Sequence, residues 1–124
     1  MSQVKKFDLE YSYDMEVDSI HIKIAEDYDY SESLELEDGI ILDFSSEGIP
    51  VCLEILDISQ LFEVEMECFE NIENINISIA ITNSSISLNL VMEVLRKSEM
   101  LNQPFSTIAK NIINLPEMNI ICSS

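Results

Sequence analysis

The stretch Ile75-Asn76-Ile77-Ser78-Ile79-Ala80-Ile81-Thr82-Asn83-Ser84-Ser85-Ile86-Ser87-Leu88-Asn89-Leu90 decides the fold class. Apolar and polar residues alternate strictly on both sides of Asn83-Ser84-Ser85, which is the period of a half-buried strand and not of a helix. The β-branched isoleucines reinforce the reading. The return strand runs on through Met92 and Val94, while Val91 and Leu95 put apolar groups on its other face. A helix over Leu90 to Leu101 also fits the spacing, but the continuous alternation favours the strand.

The same period governs the residues before this hairpin. Phe7, Leu9, Tyr11 and Tyr13 share one face of a first strand, and Asp14 to Asp18 turn the chain. Ile20, Ile22 and Ile24 form a second strand, with Ser19, His21 and Lys23 opposite. A polar loop from Glu26 to Ser33 leads to a third strand carrying Leu34 and Leu36. Asp38-Gly39 is a hairpin signal, with Ile40, Leu42 and Phe44 after it. Ser45-Ser46-Glu47-Gly48 is a four-residue loop before Ile49, Val51, Leu53 and Ile55. Pro50 donates nothing to a ladder, so it belongs at a strand start or an edge. Asp57 is placed to cap a short helix over Ile58 to Phe62. Glu63 to Cys68 reads as a loop or an edge. Towards the end, Ser106 caps a short helix carrying Ile108, Ala109, Ile112 and Ile113, stopped by Pro116. Asn119 to Cys122 forms a last strand. The fold class is therefore mainly β, a β-rich α+β arrangement. An antiparallel meander of about five strands is followed by a short helix, a long hairpin and a short C-terminal helix and strand.

The 124 residues carry six Lys plus Arg against 24 Asp plus Glu, a formal charge of −18. The charge is segregated. Residues 1–73 hold three basic and 21 acidic residues, whereas 74–124 hold three of each. The boundary near residue 70 divides an acidic sheet domain (1–70) from a neutral, Ile/Asn-rich extension (71–124). The extension is expected to pack on the first part or on a second subunit. Phosphate-bearing partners are held by Lys and Arg, so nucleic acid and anionic membranes are poor partners for the acidic part. No apolar run reaches the length of a membrane span, and no leader pattern follows Lys5-Lys6, so a cytoplasmic chain is expected.

Two further stretches carry a resemblance. One is Tyr11-Ser12-Tyr13-Asp14-Met15-Glu16-Val17-Asp18-Ser19-Ile20-His21-Ile22-Lys23-Ile24. The other is Leu36-Glu37-Asp38-Gly39-Ile40-Ile41-Leu42-Asp43-Phe44, continued by Gly48-Ile49-Pro50-Val51-Cys52-Leu53-Glu54-Ile55-Leu56-Asp57-Ile58-Ser59. Together they resemble the prokaryotic family called domain of unknown function 2283, over roughly residues 7 to 62. His21, Lys23 and Pro50 depart from its pattern. The resemblance implies a small antiparallel sheet without an established activity and without catalytic residues to carry over. Some bacterial members are encoded beside a small ribonuclease-like toxin, which implies an antitoxin-like role for those.

Candidate sites are few. Cys52, Cys68 and Cys122 are widely spaced, and without Cys-x-x-Cys they argue against zinc or dithiol chemistry. Cys52 reads as a small core residue. The loop from Asp27 to Asp38 places oxygens at alternate positions, as a calcium loop does. Asp27, Asp29 and Ser31 fit, but Glu32 stands where glycine is needed and Asp38 where glutamate is. His21 reads as a cross-strand partner for a carboxylate, and no nucleophile is set beside it by spacing. Tyr11 and Tyr13 read as core or half-buried, and Tyr28 and Tyr30, in the acidic loop, offer an exposed contact as the less favoured reading. No catalytic, cofactor-binding or metal residue is assigned, and no cofactor.

Two functions from different classes remain. One is a non-catalytic interaction module that masks a basic protein partner, in the manner of an antitoxin. The other is a structural homodimer joined through the neutral extension. A third and weaker reading is a binder of ligand or metal built on carboxylates.

Overall fold

A computed structural model describes residues 4–124. The strands are β1 (Val4–Asp14), β2 (Ser19–Ile24), β3 (Glu32–Glu37), β4 (Ile40–Phe44) and β5 (Pro50–Ile55). A helix α1 (Ile58–Phe62) and a 3₁₀ turn (Met66–Glu70) follow. The chain continues through β6 (Ile72–Ile81), β7 (Ser85–Arg96), β8 (Glu99–Lys110) and β9 (Met118–Ser123). The mainly β reading holds, and the Leu90 region is strand.

All nine strands join one sheet in the order β3-β4-β5-β2-β1-β9-β6-β7-β8. Strand β1 is the hinge of the design. Its first half pairs with β9, in parallel, from Val4↔Asn119 to Asp8↔Ser123. Its second half pairs with β2, antiparallel, from Leu9↔Ile24 to Asp14↔Ser19. A strand that changes partners part-way bends one sheet over another. The sheet curls so far that its edge strands β3 and β8 come within contact. The acidic five-strand half and the neutral half are thus continuous through β1.

The core lies inside the curl. Ile20, Ile22, Leu42 and Leu53 from the first half meet Ile77, Ile79, Leu88 and Ile120 from the second, all buried. A cavity of about 20 Å³ remains between them, lined by Leu9, Ile22, Leu53, Ile77 and Cys122 among others. That is room for about one water, so the interior is filled by side chains. One open end is stoppered by Ile58, Phe62 and Phe69, with the Phe69 ring 5.6 Å from Tyr13 and 6.3 Å from Phe62. At the other end Gly48, at φ +79°, lies under Pro116 and Leu115, where a Cβ would come within 2.7 Å of the proline Cδ.

Three local expectations are overturned. The C-terminal helix from Ser106 does not form. Residues 99–110 are strand β8, paired residue for residue with β7 from Arg96↔Glu99 to Ser85↔Lys110. Leu101, Phe105 and Ala109 cover the core there, and pairing the long open edge of β7 outweighs a weak helical spacing. Pro104 is accommodated because β8 is an edge strand. Cys52 is not a core residue. It faces outward, half-buried between Lys23 and Asp43, its register partners. Finally, Asp57 does not cap α1. It takes a left-handed conformation at φ +51° and makes no side-chain cap bond.

Candidate functional site

The capping task passes to Asp18, 41 residues away in sequence. Its carboxylate accepts the Ser59 backbone N–H at 3.2 Å, the Ser59 hydroxyl at 2.6 Å and the Tyr13 hydroxyl at 2.7 Å. Its own backbone carbonyl accepts the Ile58 N–H at 3.1 Å. Asp18 is 5% exposed and has φ +52°, a conformation that Asp tolerates better than most residues. Tyr13 and Asp18 lie in the stretch Tyr11–Ile24 and Ser59 at the end of the stretch from Leu36, the two that carry the family resemblance. The network therefore ties the β1–β2 hairpin to α1 and seals that end of the core. Burial, then the Asp18 hydrogen bond and charge, hold the Tyr13 hydroxyl well above its ordinary pKa.

The outer face of the first half is a grid set by register. One row across the strands reads Ser12, His21, Glu54, Ile41 and Glu35. The next reads Glu10, Lys23, Cys52, Asp43 and Ser33. His21 Nε2 lies 2.8 Å from Glu54, and Lys23 Nζ lies 3.6 Å from Glu10. Both pairs are largely exposed and so of small energetic weight. Asp43 accepts from the Ser33 hydroxyl at 2.6 Å, and that hydroxyl meets Tyr30 at 2.8 Å. The carboxylates of Asp8, Asp14, Glu35 and Glu37 stand exposed around these pairs. His21 is thus the cross-strand carboxylate partner that its position implies. The fold does add a neighbour that sequence spacing missed, since Ser12 sits opposite His21 in the β1–β2 register.

The acidic loop has a structural task. Asp29 accepts the Ser46 backbone N–H at 3.3 Å, tying the loop to the β4–β5 turn, and hydrogen bonding by the Ser46 side chain and then its N–H lowers the Asp29 carboxyl pKa. Tyr28 and Tyr30 are exposed, and Tyr11 and Tyr13 half-buried. Among the described residues no three His, Cys, Asp or Glu side chains gather closely enough to hold a metal ion. Burial pushes the Cys52 and Cys122 thiols up to about 11, helped at Cys52 by Asp43 and Glu54.

The outer face of the second half differs in kind. Across β9, β6, β7 and β8 the rows read Ser123, Asn76, Val91, Pro104, then Ile121, Ser78, Asn89, Ser106, then Asn119, Ala80, Ser87, Ile108. No ionisable group stands among them. Glu93 lies beyond one end and Lys110 beyond the other.

With this geometry the known proteins can be compared. The family described as proteins of unknown function (DUF2283) matches residues 10–59. The chain belongs to this family. The matched segment spans from the second half of β1 to Ser59, and so includes Tyr13, Asp18 and Ser59 of the sealing network. A protein of Methanosarcina mazei bearing the name "Putative hypoxanthine phosphoribosyltransferase" is 33% identical over 106 residues, which is 86% of this chain and 85% of that one. The likeness therefore reaches beyond the family segment into the second half. No solved structure matches. No helix among the described residues is long and apolar enough to cross a membrane.

Proposed function

We propose that this chain is a non-catalytic interaction module whose acidic outer face holds a basic protein partner. One observation carries the reading. On the outer face of β1 to β5, His21 and Lys23 are each tied to a glutamate, while the exposed Asp8, Asp14, Glu35 and Glu37 form no ion pair among the described residues. Such a face attracts and orients a positive surface, and its hold weakens as salt rises.

The name of the Methanosarcina mazei relative points to transfer of a phosphoribosyl group. A phosphorylated donor is gripped by cations and by backbone N–H groups at glycine-rich loops or helix N-termini. This chain offers 6 Lys plus Arg against 24 acids, and its two glycines serve hairpin turns. Its α-helix is five residues long. These features support protein binding over phosphate handling.

The test is affinity capture from the native lysate. The tagged chain should retain a small basic protein at about 0.15 M salt and release it near 0.5 M, where screening shortens to a few ångströms. A chain carrying Asp8→Asn, Glu35→Gln and Glu37→Gln should retain far less. Recovery of no basic protein, or equal recovery by both chains, overturns the reading.

A further inference from the structure

We propose that two copies of this chain associate face to face through the outer surface of β9, β6, β7 and β8. The proposal stands apart from the basic partner, which uses the opposite half of the curled sheet.

The first argument is electrostatic. A second copy also carries −18, so it can approach closely only where neither surface is charged. The described chain offers one sheet face of that kind. Its outward positions are Asn, Ser, Ala, Pro and three large apolar residues, Val91, Ile108 and Ile121, which are 40%, 67% and 44% exposed. Acidic proteins seldom leave a four-stranded face so bare of charge, because solubility favours charged side chains there.

The second argument is symmetry. A twofold axis lying along the row Ser78-Asn89-Ser106 exchanges the rows on either side of it. Pro104 of one copy then lies over Ile108 of the other and Ile121 over its own copy on the axis, so apolar groups meet, while Val91 lies over Ser87. The Lys110 end of one face also meets the Glu93 end of its partner. The charges at its two ends are therefore complementary across the axis, while Lys6 and Asp8 of β1 flank its β9 edge beside Ile121 and Ser123.

The third argument is size. Four strands span about 19 Å and the three neutral rows about six residues, or about 20 Å, giving about 400 Å² in plan. Two such faces bury about 800 Å² in total, with side-chain relief adding to it, which is the size of a weak, micromolar association.

Light scattering measures the mass. The chain should run at twice 14.2 kDa at about 50 µM, a concentration that populates a micromolar dimer. Added salt should leave the dimer intact or tighten it, because it screens repulsion between the acidic halves. That is the reverse of the behaviour expected for capture of a basic partner. Ile108→Glu and Val91→Glu should each weaken association at least about tenfold while the circular dichroism stays native. Glu35→Gln should leave the mass unchanged. As an independent check, Asn89→Cys, on the axis, should link two copies under mild oxidation, and Glu35→Cys should not. A single-chain mass for the parent protein, a full dimer in both glutamate variants, or linkage at Glu35 instead of Asn89 overturns the proposal.

Discussion

Removing the Asp18 side chain should unfasten one end of the sheet. Three donors converge on that carboxylate, the Tyr13 hydroxyl at 2.7 Å and the Ser59 hydroxyl and N–H at 2.6 and 3.2 Å. Bonds to a charged acceptor contribute about 1.5–3 kcal/mol each when fully buried. Tyr13 and Ser59 are only half-buried and can turn partly to water, so about 1 kcal/mol each is the appropriate scale. The left-handed backbone at φ +52° adds about 1 kcal/mol for alanine in place of aspartate. Asp18→Ala should therefore lose about 4 kcal/mol from a total of roughly 5–15 kcal/mol. With a urea slope near 2 kcal/mol/M, the midpoint falls by about 2 M. The assay is urea unfolding followed by circular dichroism, since the chain has no tryptophan. Ser59→Ala removes one donor and should cost about 1 kcal/mol. The two substitutions should be non-additive by about 1 kcal/mol, because the same Ser59 hydroxyl–Asp18 bond is lost in either case. A loss below about 1 kcal/mol for Asp18→Ala, or full additivity, would refute the reasoning.

Three more outcomes follow from named contacts. Gly48→Ala should cost about 2–4 kcal/mol, from a left-handed backbone and a clash with Pro116, whereas Gly39→Ala should cost about 1 kcal/mol because its nearest neighbour, Leu56, stands clear at 3.6 Å; urea midpoints compare them. Tyr13 keeps its proton more tightly in the folded chain, so its stabilisation is complete below the unfolded pKa of about 10 and is lost as pH rises above it. Between pH 10 and 11 the midpoint of the parent chain should therefore fall more steeply than that of Tyr13→Phe. Cys52 and Cys122, with thiols pushed to about 11, should alkylate at pH 8 at least about tenfold slower than in the urea-unfolded chain, as read by peptide mass; equal rates would show that these thiols are not buried as described.

The sheet-facing pattern was legible because its signal is local. Ile20-x-Ile22-x-Ile24 and Ile75 to Ile81 alternate whatever their partners are, and Asp38-Gly39 and Gly48 mark turns by chemistry that glycine alone supplies easily. Strand β8 was not legible. Its hairpin turn is Lys97-Ser98, both left-handed at φ +50° and +68°, residues that carry no turn signal in sequence. Its inner face mixes Leu101, Gln103, Phe105, Thr107 and Ala109, too polar to read as a core strand. The cap of α1 was misread for a related reason. Asp57 stands at the right place in sequence, but its backbone turns the side chain away, and the acceptor arrives from a distant hairpin.

The sequence by itself determined the class of fold, the sidedness of most strands and the division of charge, since each depends on neighbours within a few residues. The tertiary structure decided which strands meet. Parallel pairing of β1 with β9 joins residues more than a hundred positions apart, and no local pattern encodes it. That pairing bends β1 from one half-sheet to the other, and so sets the acidic grid and the neutral face on opposite outer surfaces of one curled sheet. Charge segregation along the chain becomes charge segregation in space only because the sheet closes in this way.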